Sequence, residues 1–343
     1  MINENCVFLL YPFCKTIKGY AQSAIYDLEL NKLHSITNNM YYFIEACIGK
    51  TKKEIYYLFN ESETVIVKSL ITSLIDKRFV RFVDKEEYSR FLPIQNLPQQ
   101  DSLLDNFVID IDDDSDYDIC KALEKISNFH LQVIQIRFLH PVNHYRFSEI
   151  IRKVYATNAD SIEIVIPFVT VKSLEELYEL FDKYQNITNM YIWGAEANKI
   201  DNYKQCRVNY MQSKINCSDT CGLINSDNFL CNKKFYLEAM NKNTCLAKKC
   251  AIDKNGIIKN CPYMANGFGH IDDCTVEKLQ NIVMEESFTR LFSVKKDDVQ
   301  TCNVCEFRYA CFDCRVFISK KENLFSKPLK CNYNPYIAKW NNE

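Results

Sequence analysis

Residues 107–138 read FVIDIDDDSDYDICKALEKISNFHLQVIQIRF. The first five form an apolar strand. Past an acidic loop, DYDICKALEKISNF has the repeat of an amphipathic helix, and LQVIQIRF is a second strand. Strand, helix and strand within ~30 residues is the unit that builds parallel sheets, because parallel neighbours need a long crossover. The rhythm continues through RFSEIIRKVYATN (helix), SIEIVIPF (strand), VKSLEELYELFDKYQ (helix) and NMYIWG (strand). These strands read as apolar runs, the pattern expected when both faces of a sheet are covered. Three to four units fit before the composition changes near residue 205, whereas a complete eight-unit barrel needs ~250 residues. The expected fold class is α/β, with a partial, degenerate (β/α) barrel-like parallel sheet over residues 105–205.

Upstream, LPIQNLPQQDSLLD is a Pro- and Gln-rich linker. Residues 1–95 before it hold strand-like CVFLLYPF and SAIYDL, then three helical stretches. In NNMYYFIEACIG, Met40, Phe43, Ile44 and Cys47 share a face and Gly49 is a stop. TKKEIYYLF is the second. In NESETVIVKSLITSLIDKRF, Asn60 and Glu63 have capping-box spacing, with Ile66, Leu70 and Leu74 expected to face inward. FVRFVD closes the region as a strand. This order spells a winged-helix-like module, with any compact α+β domain as the alternative.

The acidic loop 110–118 places Asp110, Asp112 and Asp114 as in an EF-hand, but Ser115 stands where glycine is required and Lys121 where the closing glutamate belongs. An acidic turn at a helix N-terminus is the better account. Five histidines (His34, His130, His140, His144 and His270) form no HExxH or HxH cluster, and Pro141 separates His140 from His144.

The 343 residues carry 42 basic and 44 acidic side chains, a net charge of −2. That balance excludes a nucleic-acid binder working by phosphate neutralisation and gives no attraction to anionic membranes. With seven glycines the chain has neither GxGxxG nor GxxxxGK[ST]. The start, MINENCVFLLYPFCK, carries Glu4 and breaks its apolar run at Pro12, unlike an export signal, and no segment reaches the ~20 apolar residues of a membrane span. A cytoplasmic location is expected. In a reducing compartment 17 cysteines are not there for disulfides.

Cys6, Cys14, Cys47 and Cys120 are scattered and read as small buried hydrophobes. The other thirteen lie between Cys206 and Cys331, so residues 206–343 form a cysteine-ligand domain. The densest stretch, CNVCEFRYACFDC, gives Cys302-x2-Cys305-x5-Cys311-x2-Cys314, followed by Cys331. Upstream come Cys245-x4-Cys250-x10-Cys261, enclosing AIDKNGIIKN, a hairpin with its turn at Asn255-Gly256. Thiolates in fours suit iron–sulfur clusters or zinc. A zinc ribbon separates its CxxC pairs by about fifteen residues, while clusters tolerate crowding, so iron–sulfur is favoured and zinc remains open. Arg308 and Arg315 are suited to neutralising such clusters or to pairing with Asp313.

The string C-x10-G-x4-C (Cys245, Gly256, Cys261), followed by CNVCEFRYACFDC and Cys331, resembles the SPASM domain, the cysteine-rich C-terminal extension of many radical SAM peptide-modifying enzymes. IDKNGIIKNCPYM, CNVCEFRYACFDCRVF and KPLKCNYNPYIAKW are similar to the SPASM-domain peptide maturases of grasp-with-spasm systems, which are encoded with an ATP-grasp ligase and a short precursor peptide. The resemblance is dense over residues ~245–340. It implies two [4Fe–4S] clusters, one on Cys245, Cys250, Cys261 and Cys314, the other on Cys302, Cys305, Cys311 and Cys331. Two departures stand out. The last short spacing is x2 where the wider domain usually has x3, and the core pattern does not require Cys250, without which the first cluster would keep an open iron.

The radical SAM motif CxxxCxxC is missing: the loop after FVIDI offers Cys120 alone, and Cys217-x3-Cys221 is followed by Ile224. No S-adenosylmethionine-binding cluster is expected, nor a self-sufficient radical enzyme. Cys206, Cys217, Cys221 and Cys231 are candidates for an extra metal site. Two functions are consistent with these features. One is maturation of a ribosomally made precursor peptide beside an ATP-grasp ligase, with residues 1–95 capturing the leader as an added strand. The other is a non-catalytic adaptor, stabilised by zinc or clusters, that presents the precursor to the ligase.

Overall fold

A computed structural model of the chain describes residues 3–60, 62–92, 94, 102–171, 173–214 and 221–341. The N-terminal region contains β1 (Val7–Leu10), β2 (Cys14–Lys18), β3 (Ser23–Asp27), β4 (Lys32–Ile36), α1 (Asn38–Cys47), α2 (Lys52–Tyr57), α3 (Thr64–Asp76), β5 (Val80–Val83) and α4 (Lys85–Arg90). Strands β1 and β5 pair antiparallel, and β2, β3 and β4 form a meander. The helices close over Phe8, Ile25, Phe43, Ile44, Cys47 and Ile55. Asn60 and Glu63 do make the reciprocal capping box: the Glu63 N–H donates to Asn60 Oδ1 (3.0 Å) and the Asn60 N–H to Glu63 Oε2 (3.1 Å). Leu74 is buried and Leu70 packs against the core as expected, joined by Val67 and Ile71, whereas Ile66 is 61% exposed. One residue turns a helix by about 100°, which carries Ile66 away from the buried Val67.

The meander does not stand apart from the cysteine-rich region. Tyr26 donates to the Glu306 carbonyl (2.8 Å), the Tyr20 N–H to the Val304 carbonyl (2.8 Å), and Arg308 to the Lys18 carbonyl (2.8 Å). Ile17, Ala24 and Tyr26 share an apolar cluster with Tyr236, Leu237 and Ala310.

The central layer follows: β6 (Asn106–Ile111), α5 (Ile119–Ile126), β7 (Val133–Phe138), α6 (His144–Tyr155), β8 (Ser161–Pro167), α7 (Leu174–Lys183), β9 (Ile187–Trp193), β10 (Lys199–Tyr203) and β11 (Cys206–Met211). Then come α8 (Lys233–Asn241), the hairpin β12 (Lys249–Ile252) and β13 (Ile258–Lys259), and α9 (Val276–Met284). One sheet runs β10-β11-β9-β8-β7-β6-β12-β13, parallel from β11 through β12 with an antiparallel strand at each edge. It draws strands from both sides of residue 205. The hairpin turns where its sequence says: Gly256 has φ +73°, and an added Cβ would collide with His270.

One face of this sheet is covered. Phe107, Ile109, Ile134, Ile136, Ile162, Ile164 and Ile192 meet the apolar stripes of the helices in a continuous core. On α5 the stripe is Ile119, Ala122, Leu123 and Ile126, at the i, i+3, i+4 and i+7 spacing, and each large side chain contributes about 1.5–3 kcal/mol. The opposite face corrects the expectation of two apolar faces, since every second strand residue points there. It carries Val108, Gln135, Glu163, Asn189 and Tyr191, half-buried, and the buried pair Asp110–Arg137. Gln135 (2.8 Å) and Asn189 (3.2 Å) donate to Glu163, and burial raises that carboxyl above the usual range despite them.

Candidate metal centres

Among the described residues every cysteine is free. The segment 302–314 is wound tightly: the Cys305 N–H donates to the Cys302 carbonyl (3.0 Å), closing the first CxxC turn, and Ala310 N–H to the Phe307 carbonyl (3.0 Å). Cys302, Cys305, Cys311 and Cys331 line one cavity with about 370 Å³ of atom-free space. Its outer wall is aromatic, with Phe307 against Tyr333 (centroids 5.1 Å apart) and Tyr333 against Trp340 (5.0 Å). Burial pushes the Cys311 thiol up to about 12, with the nearby sulfurs of Cys302 and Cys331 adding to it and Lys296 opposing. Thiols so placed ionise when a metal displaces the proton.

A second group collects Cys221, Cys245, Cys261 and Cys314. The Cys221 thiol is pushed up to about 12 by burial and by the sulfurs of Cys261, Cys245 and Cys314. Gly222 makes that approach possible: at φ +78°, its missing Cβ would lie 3.1 Å from Cys314 Sγ. Lys330 holds the segment by donating to the Cys221 carbonyl (2.9 Å), and Ile224 bridges to Cys331. The Cys245 and Leu246 N–H groups both donate to Asn243 Oδ1 (3.0 and 2.8 Å), fixing the turn that presents Cys245.

Cys250 sits elsewhere. It lies on β12, fully buried in the sheet core with Cys274 as its sulfur neighbour. Successive residues of a strand point to opposite faces, so it is Lys249 that turns toward Cys245. Among the described residues, the other candidates for an extra site do not meet. Cys206 is in the core on β11, Cys231 donates to the Lys32 carbonyl (3.2 Å) at the meander, Cys221 has joined the group above, and Cys217 lies outside the described residues.

Each sulfur group has a lysine that the sequence did not single out. Lys249 Nζ donates to Cys245 Sγ (3.2 Å), and no carboxylate pairs with it among the described residues. Lys296 is 3% exposed, with Asp313 Oδ1 at 3.4 Å and Cys302 Sγ at 3.9 Å. Asp313 also pairs with the buried Arg315 (2.6 Å) and accepts from Asn243 (2.9 Å). Lys296 and Arg315 thus share one buried carboxylate, while a second, Glu306, lies beside Cys305 and accepts from Tyr333. An unpaired buried ion costs several kcal/mol, so these ammonium groups fit a neighbour that is anionic, which neutral thiols are not. Thiolate-ligated clusters are. Around one zinc, thiolates at about 2.3 Å from the ion would lie within ~4 Å of each other. Among the described residues no three His, Cys, Asp or Glu side chains converge on a single ion. Four cysteines to a group is a donor set that suits an iron–sulfur cluster as well as zinc.

The acidic loop holds its own cations: Asp110 takes Arg137 bidentately (2.5 and 2.7 Å), while Asp112 and Asp114 share Lys254 (3.1 and 3.2 Å). Cys120, at the start of α5, has no second cysteine among its electrostatic partners. No helix among the described residues is long and apolar enough to cross a membrane.

No family model matches the chain, and no curated protein matches it. Three solved structures of SuiB from Streptococcus suis align along most of it. SuiB alone gives 12% identity and a TM-score of 0.35, over 92% of this chain and 96% of that one. SuiB bound to S-adenosylmethionine gives 11% and 0.33 over the same shares, and SuiB bound to the precursor peptide SuiA gives 10% and 0.35 over 96% and 98%. A likeness this loose assigns neither residues nor chemistry.

Proposed function

We propose that the chain is an iron–sulfur protein of the SPASM type that takes part in maturing a ribosomally made precursor peptide beside an ATP-grasp ligase. Its residues would hold two [4Fe–4S] clusters, on Cys302, Cys305, Cys311 and Cys331 and on Cys221, Cys245, Cys261 and Cys314, with Cys221 in the place first expected for Cys250. The observation behind this is the pairing of each sulfur group with its own lysine, Lys296 or Lys249. Bound clusters would supply one-electron chemistry or a ligand position for the peptide. The chain itself contributes thiolates, compensating charge, and an aromatic wall that limits water at the group of Cys302, Cys305, Cys311 and Cys331. Residues 1–95 are the proposed leader-peptide module, reached through the contacts of Tyr20, Tyr26 and Arg308 with the segment 304–308.

The test is anaerobic purification with elemental analysis and Mössbauer spectroscopy. About eight irons per chain are expected, from two four-iron clusters. Cys221→Ser should lower or alter one cluster, while Cys250→Ser keeps both. Stoichiometric zinc, the mark of the adaptor alternative, or iron lost in Cys250→Ser and not in Cys221→Ser, would overturn the assignment.

A further inference from the structure

Ligands of parallel β/α folds lie at the C-terminal ends of the strands. At the ends of β6 and β7, Ile111, Phe138 and Val142 floor a pocket with about 400 Å³ of atom-free space, and Asp112, His140 and Arg146 supply polar wall. Asp112 is buried and fixed from three sides, by His140 Nδ1, by Lys254 Nζ (3.1 Å) and by the Asp113 N–H (2.9 Å). Its own N–H donates to Ser115 Oγ (2.9 Å), and that hydroxyl donates to the Lys254 carbonyl in the β12–β13 turn (2.7 Å). Acidic loop, neighbouring strand end and hairpin turn thus hold one carboxylate in place. A carboxylate on Nδ1 selects the tautomer protonated there, so the lone pair of Nε2 is left for a ligand. His140 is half-exposed, and its Nε2 has no hydrogen-bond partner among the described residues.

We propose that Asp112 and His140 are a proton-transfer pair for a small oxygen acid, a hydroxyl, carboxyl or water molecule seated in this pocket. In the step, the O–H bond of the ligand breaks and an N–H bond forms at Nε2. The electron pair stays on oxygen, within reach of the Arg146 cation at the rim. The proton later leaves to the group that the oxygen displaces, or to solvent. Asp112 keeps its charge and stabilises the imidazolium. The charges facing His140 are Asp112, Asp113 and Asp114, with Lys254 behind Asp112 and Arg146 opposite; together the acids raise the imidazole above its ordinary value. None of these groups is a cysteine, so the site stands or falls separately from the iron–sulfur assignment.

The test uses the full chain and 4-nitrophenyl acetate, with water as the oxygen acid and acetate and 4-nitrophenol as products. A positioned general base is worth about 10²–10⁴-fold, so His140→Gln and Asp112→Asn are expected to lose at least ~10-fold in hydrolysis. His144→Gln is the control: His144 is equally exposed, at 54%, and lies outside the pocket. Diethyl pyrocarbonate modification of His140, mapped by mass spectrometry from pH 5 to 9, should show its midpoint falling in Asp112→Asn and moving less in Asp113→Asn. His140→Gln hydrolysing as fast as the unaltered chain, or a midpoint unmoved by Asp112→Asn, would overturn the proposal. The half-exposed position of His140 makes its replacement compatible with folding.

Discussion

On the proposed iron–sulfur assignment, replacing Lys296 by methionine separates a metal-free from an iron-loaded state of the cysteine region. In the metal-free chain the thiols are neutral, and the loss leaves Asp313 with Arg315 at 2.6 Å and Asn243 at 2.9 Å. That remaining pair is balanced, so the expected cost is on the order of 1 kcal/mol, the size of one hydrogen bond. In the iron-loaded chain the same change removes the cation beside Cys302 and Cys311 and leaves buried negative charge uncompensated. Breaking a buried pair from one side costs about 3–5 kcal/mol. The difference of roughly 2–4 kcal/mol corresponds to a midpoint shift on the order of 1 M urea, since denaturant slopes are ~1–3 kcal/mol/M for small proteins and rise with size. The assay is anaerobic urea denaturation of both forms, with Lys296→Arg as the charge-keeping companion. Equal shifts with and without iron, or a loaded Lys296→Met chain more stable than the original, would refute the assignment of anionic sulfur to this cavity.

Two other outcomes can be checked on the metal-free chain. Gly256→Ala forces a side chain into a left-handed turn against His270, and is expected to cost about 1–3 kcal/mol, read as a lower thermal midpoint; an unchanged midpoint would contradict the turn geometry. Glu163 has its carboxyl raised by burial, so the folded chain binds that proton more tightly than the unfolded one, and stability is lost as pH rises from about 4.5 through the folded value. Relative to Glu163→Gln, the original chain should therefore weaken over that range, by at most ~1.4 kcal/mol per pH unit; a slope of the opposite sign would show that the amides of Gln135 and Asn189 outweigh burial.

The parallel layer was legible because apolar strand runs alternate with amphipathic helices long enough to cross over between parallel neighbours. The hairpin was legible from Asn255-Gly256, where local turn chemistry decides alone. Cys302, Cys305, Cys311 and Cys331, grouped in the sequence reading, line one cavity, while Cys314 belongs with the other sulfurs; that either group holds a cluster is the proposal. What sequence could not place depends on distant pairing. Cys250 was grouped with Cys245 although the core pattern does not require it; β12 pairs with β6, and alternation along that strand turns Lys249 toward the sulfurs and Cys250 into the core. Cys221 reached its group through Gly222 and the run beside 328–331, contacts about a hundred residues long in sequence. The histidine at 140 looked solitary because its partner, Asp112, lies in the loop after the adjacent strand, 28 positions earlier. The polar face was written in the strands, at Gln135, Glu163 and Asn189, but their apolar content masked the alternation.

The position of β12 bears on how the chain emerges from the ribosome. The outer flank of β6 offers its backbone groups as soon as that strand is made, yet the partner that covers it is Lys249–Ile252, more than a hundred residues downstream, whose first residue donates to the sulfur of Cys245 four positions earlier. Until that partner docks, an apolar strand edge is bare to other nascent chains. If the proposed clusters fix the Cys245 turn, iron starvation of the producing cell would register as insoluble product.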